Sequence, residues 1–220
     1  IHLNRVLRKK GWLSWRDELK REMIDLGNCE AFAIPDHQVA HIYVKDESLI
    51  ESVRDEILKQ EGVTHVYGKD ELNKIGLANE RSGDLVAVSD ERSWFTYYYW
   101  ESDRKAPDFA RCVDIHRKPG YDPVELFVDP KIKFPKLKIA FKLLRKILGF
   151  RMLMDVIPLD ASLVKGSHGA IPESQEDHPV LIGKFSGKAT DNTVAIDDVY
   201  DLLFRACAGE KDKGSERPLE

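Results

Sequence analysis

The sequence predicts an α/β protein, on three observations. Helical apolar periods alternate with short strand-like runs from about residue 31 to residue 100. The composition is that of a packed chain, with 42% hydrophobic and 33% charged residues over 220 positions. No stretch approaches the ~18 consecutive apolar residues of a membrane span, so no transmembrane segment is expected. The 34 basic and 38 acidic side chains leave a net charge of −4. That balance argues against a nucleic-acid-binding surface over the whole protein, and no nucleic-acid partner is expected.

The elements follow in order. Leu3, Val6 and Leu7 recur at helical spacing, Gly11 interrupts, and Leu19, Met23 and Ile24 resume before Gly27, which predicts helix over 3–26. Phe32 and Ile34 alternate with Ala31 and Ala33, and Pro35-Asp36-His37 punctuates. The run Val39 to Val44 reads as a strand buried on both faces. A helix over 46–60 has Asp46 or Ser48 as cap, Val53 and Ile57 in its stripe, and Gly62 at its end. Short strands are predicted at Val63–Tyr67 and Asp84–Ser89, with a helical turn at Lys69–Lys74 between them. Trp94 to Trp100 reads as an aromatic strand, whose rings either stack a base or sugar or pack a sheet face. After a Pro- and Gly-punctuated stretch, Lys136 to Leu148 is an amphipathic helix. Its basic residues Lys136, Lys138, Lys142, Arg145 and Lys146 meet anionic lipid or phosphate, or simply solvent, which is the usual case. A short strand at Val180–Ile182 and a last helix from Asp197-Asp198 complete the pattern.

Cys29, Cys112 and Cys207 are sparse, odd in number and free of C-x-x-C spacing. That fits a reducing compartment, so a cytoplasmic location is expected. The chain starts at Ile1 inside a helical pattern, and its tail from Gly209 is polar, which predicts a fragment with a disordered or tag-derived end. A fragment would have lost any signal peptide, so a secreted or periplasmic origin stays open.

Two clusters carry the candidate chemistry. In Gly166-Ser167-His168-Gly169, small neighbours leave an imidazole on a tight turn, free to ligate a metal or to be an ordinary loop histidine. In Asp114-Ile115-His116-Arg117-Lys118-Pro119-Gly120-Tyr121-Asp122, a strand would place Asp114 and His116 on one face, as metal ligands or as a carboxylate-oriented base. Arg117 and Lys118 could hold a phosphate, with Asp122 beside them. The plainer reading is a solvated loop with internal salt bridges. His37 and His41 lie roughly 13 Å apart on a strand and cannot share a metal. No G-x-S-x-G, Walker, H-E-x-x-H or G-x-G-x-x-G motif is present.

The order Gly62-Val63, Arg81-Ser82-Gly83-Asp84-Leu85-Val86, then Gly166-Ser167-His168-Gly169 and Pro172 resembles the C-terminal half of type I phosphodiesterase/nucleotide pyrophosphatase proteins. These belong to the alkaline phosphatase superfamily, and the likeness is nearest to the phosphonoacetate-hydrolase-like branch. It implies part of an alkaline-phosphatase-like α/β core with an α/β cap. It also implies two metal ions, commonly zinc, a small phosphorylated or phosphonate substrate, and His168 as a metal ligand. The nucleophile and an S-D-H-G motif would lie upstream of Ile1, so the isolated chain is expected to be inactive. The resulting division is a helical segment over 1–30, a cap-like α/β region over 31–110, a loop-rich return to the core over 111–207, and a tail over 208–220. The other reading is a non-catalytic α/β binding or interaction module derived from this fold.

Overall fold

The computed structural model describes residues 1–74, 77–114, 116–172, 174–182 and 194–208, in two compact units, Ile1–Pro172 and Glu173–Glu220. The predicted tail lies outside the described residues from Gly209 onward. The α/β class is observed.

In the first unit a four-stranded sheet runs in the order β3-β4-β6-β5, antiparallel throughout. Its strands are β3 (Ala31–Asp36), β4 (Val39–Val44), β5 (Val63–Gly68) and β6 (Leu85–Ser89). Register aligns Ala33 with Ile42 and Ile42 with Leu85, so one face is a continuous apolar row. Helices α1 (Leu3–Lys9) and α2 (Ile50–Leu58) supply Leu3, Leu7, Val53 and Ile57 to the same core. A 3₁₀ turn at Glu47–Leu49 leads into α2, capped by the Asp46 carboxylate accepting from the Ser48 N–H at 2.9 Å. Helix α3 (Lys69–Lys74) follows β5. β4 is buried on one face only: Ala40, Ile42 and Val44 are covered, while Val39, His41 and Tyr43 are half-exposed.

Three predicted elements differ. The helix over 3–26 stops after α1, at Gly11 with φ +80°. Beyond it, β1 (Trp15–Glu18) and β2 (Arg21–Ile24) form a hairpin that turns on Leu19 and Lys20, both at positive φ. The Leu19–Met23 spacing that suggested a helix is coincidental, for Leu19 is 97% exposed. What fixes the hairpin is Glu22, buried and paired with Arg8 at 2.5 Å and Lys105 at 3.4 Å.

The aromatic run Trp94–Trp100 is fully in the core but joins no sheet. Side chains of α1 replace the missing neighbour strand. Asn4 donates to the Tyr97 carbonyl, Arg8 to that of Tyr99 and Arg5 to that of Trp100, at 3.3, 3.1 and 2.7 Å. Burial pushes the Tyr97 and Tyr98 phenols far up in pKa.

Among the described residues from 116 to 172 the unit is built of 3₁₀ turns, extended chain and one long helix, α4 (Pro135–Ile147). The second unit holds α5 (Val199–Ala208), where a terminal helix was expected. Val180–Ile182 is not a strand; Val180 and Ile182 are exposed there.

Candidate functional site

Three loops of the first unit converge on the tip of the β3–β4 hairpin. Asp36 pairs with Val39, leaving His37 and Gln38 as a two-residue turn. His37 takes φ +56°, a conformation histidine adopts more readily than most side chains. The tip is held from all sides. The Phe95 N–H donates to the His37 carbonyl at 2.7 Å, and the Gln38 N–H donates to the His168 carbonyl at 3.0 Å. The buried Gln38 amide donates to the Asp90 carbonyl at 3.0 Å and accepts from the Ala170 N–H at 3.3 Å. One glutamine therefore fastens the hairpin tip to the loop after β6 and to the Gly166–Gly169 turn.

Two glycines permit the close approach. Gly169 has φ +116°, and a Cβ there would lie 3.2 Å from Val39. Gly120 has φ +124°, and a Cβ there would stand 2.4 Å from the Pro35 carbonyl oxygen. The Tyr121 N–H then donates to that same oxygen at 2.9 Å.

The outcome is a stack of three rings. His37 lies between Tyr121, at a centroid distance of 4.8 Å, and His168, at 3.9 Å and tilted by 33°. The His37 Nδ1 shares a 3.0 Å hydrogen bond with the Ser167 hydroxyl. Burial pushes the His37 imidazole down in pKa, the neighbouring His168 adds to this, and Asp36 opposes it. Burial thus favours the neutral His37 ring, and the bond to Ser167 holds its orientation. His168 keeps an exposed ring. Sequence reasoning set His37 aside, as a strand residue too far from His41 to share a metal. Its partner Ser167 lies 130 residues away, so no local signal could have paired them.

The other sequence candidates sit apart from this stack. Asp114 lies in a turn, paired with Arg117 at 3.4 Å, and His116 is exposed beside it. Lys118 and Asp122 do come together, 3.3 Å apart, with Glu125 also against the ammonium. Both side chains are fully buried, and the Asp122 carboxylate also caps the 3₁₀ turn Pro123–Leu126 through the Val124 N–H at 3.1 Å. Burial raises the Asp122 pKa against the pull of Lys118. Here the geometry is that of an internal ion pair fixing the loop behind Tyr121.

A groove of about 530 Å³ lies between residues 91–94 and 161–165, with Arg92, Ser93, Ser162 and Lys165 on its walls. Lys165 directly precedes the Gly166 turn.

The type I phosphodiesterase/nucleotide pyrophosphatase family model matches residues 1–122. The chain belongs to this family. The match takes in α1, the whole sheet, the hairpin tip with His37, and the Gly120–Asp122 turn. The Gly166–Gly169 turn lies beyond it, so His168 is tied to the family region by its contacts with His37 and Gln38. No curated protein and no solved structure gives a match.

Family membership raises the question of metal. Among the described residues no three His, Cys, Asp or Glu side chains group as a metal site. Stacked imidazoles at 3.9 Å present faces to each other, and the His37 Nδ1 is engaged with Ser167. With the His37 Nδ1 and the Ser167 hydroxyl bonded to each other, the His168 ring falls short of the three or four donors that a zinc site takes. The donors here are an incomplete set, and no catalytic step is derived through a metal.

Proposed function

We propose that the chain is the C-terminal part of a metal-dependent hydrolase of phospho- or phosphono-esters, from the phosphonoacetate-hydrolase-like side of its family. The observation that carries this reading is the His37–His168 stack on a turn clamped by Gln38. A ring held in this way is a pre-oriented donor. On this reading His168 supplies one ligand to a divalent metal, with zinc expected. Asp114 and His116 are the further candidates, and Arg117 is the candidate anion contact. Lys118 and Asp122 serve the site by holding the loop that carries Tyr121. His37 is a positioning residue: it touches His168 and acts through it.

The test is metal content together with hydrolysis of an aryl phosphodiester by the full-length natural product, in wild type and His168→Ala. Loss of both metal and rate is expected. Unchanged occupancy and rate in His168→Ala overturns the assignment. His37→Ala is expected to weaken metal binding about 10–100-fold, the usual effect of removing a residue that orients a ligand.

A further inference from the structure

Helix α4 is turned inside out. Its 13 residues include none that is buried. The side resting against the unit is the polar one: Lys138 and Lys142 reach the Asp155 carboxylate at 3.3 and 2.7 Å, and Lys138 also donates to the Asp155 carbonyl at 2.6 Å. Asp155 is itself tied to the body by a bridge to Cys112. The apolar stripe faces away. Phe134 is 71% exposed, Leu137 69%, Phe141 59%, Leu144 51%, Ile147 80% and Leu148 64%.

The charge around this stripe has one sign. Between Pro130 and Met154 there are eight basic side chains and no acidic one, in a chain whose net charge is −4. Lys136 and Arg145 fall on opposite edges of the stripe, since a helix turns about 100° per residue. A stripe of Phe, Leu and Ile edged by cations fits a surface that is apolar inside and anionic at its rim. A second copy of the helix would bring cations against cations. A nucleic acid would leave the apolar stripe without a partner.

We propose that α4 binds the surface of an anionic lipid bilayer, lying in the interface with Leu137, Phe141 and Leu144 among the acyl chains and Lys136 and Arg145 at the headgroups. Asp155 is the device that presents it, because it draws the two lysines of the opposite face inward.

The test is co-sedimentation of the full chain with phosphatidylcholine vesicles, with and without about 30% phosphatidylglycerol, at about 0.1 M salt. Binding at least about tenfold stronger to the anionic vesicles is expected, falling as salt rises. Phe141→Asp with Leu144→Asp should remove binding about tenfold or more, with the circular-dichroism melt unchanged because both residues are exposed. Lys136→Glu with Arg145→Glu should abolish the preference for anionic lipid. No binding to either vesicle, equal binding to both, or binding indifferent to both variants overturns the proposal. So does a concentration-dependent dimer that Phe141→Asp with Leu144→Asp dissociates while vesicle binding is absent.

Discussion

Helices α2 and α4 are both amphipathic, and they face opposite ways. α2 points Val53 and Ile57 into the sheet and keeps Glu51 and Asp55 in solvent. α4 keeps Lys138 and Lys142 against the protein and Leu137, Phe141 and Leu144 outside. An apolar period thus specifies a helix with two faces. It does not specify which face meets the rest of the molecule. For α2 that choice follows from short connections to β4 and β5, which leave the helix no site except on the sheet. For α4 it follows from one carboxylate, Asp155, 17 residues from Lys138.

The strongest way to break this contrast is truncation of one stripe residue in each helix. Ile57→Ala should cost about 2–5 kcal/mol in urea unfolding, because it opens a cavity against β5 and β6. Leu144→Ala should change stability by no more than about 0.5 kcal/mol. Equal effects would mean that α4 is packed as α2 is.

A second test sharpens the contrast through pH. Burial, with the Arg5 guanidinium adding to it, pushes the His2 imidazole down from 6.5 to about 4. His2 is held beside α1 by Thr96 at 2.5 Å and by a stack on Tyr98. The unfolded chain takes up this proton first, so His2 leaves stability intact above pH 6.5 and lowers it as pH falls toward and through 4. The loss is up to about 3 kcal/mol. His37 and His41 are shifted in the same direction and add to it. Urea midpoints measured across this range should fall in the wild type and fall less in His2→Phe. A pH-independent midpoint would count against burial of the neutral ring.

The smallest effect concerns the orientation of α4. Burial alone would raise the Asp155 pKa, but bonds to Lys142 and Lys138 outweigh it and hold the carboxyl below its usual range. Asp155→Asn should cost only about 1 kcal/mol or less overall, as partly exposed ion pairs do. Hydrogen exchange should nonetheless speed up on the α4 amides and not on those of α2. Uniform exchange in the two helices would remove Asp155 as the anchor.

Much of the fold was legible because its signals are local. The run Val39 to Val44 gave β4, the 46–60 period gave α2, and the stripe over 136–148 gave α4. The β1–β2 hairpin was not legible, because its turn uses Leu19 and Lys20 at positive φ in place of the Asn-Gly type that announces such turns. Burial of Trp94–Trp100 was legible; its lack of strand partners was not, since Asn4, Arg5 and Arg8 bond carbonyls more than ninety residues away. The site divided in the same way. The Gly166–Gly169 turn stood out by its small residues around one histidine, whereas the ring stacked on that histidine belongs to another loop.

By itself the sequence determined the α/β class, the helix periods, the tight turn around His168 and the unbroken basic charge from Lys131 to Arg151. Each depends on residues within a few positions of one another, where backbone sterics and side-chain spacing act directly. Only the tertiary structure decided that His37 meets His168, that Lys118 spends its charge on Asp122, and that α4 shows its apolar side to the outside. Those outcomes rest on contacts between distant segments, where a single hydrogen bond or ion pair selects among faces that the local pattern leaves equivalent.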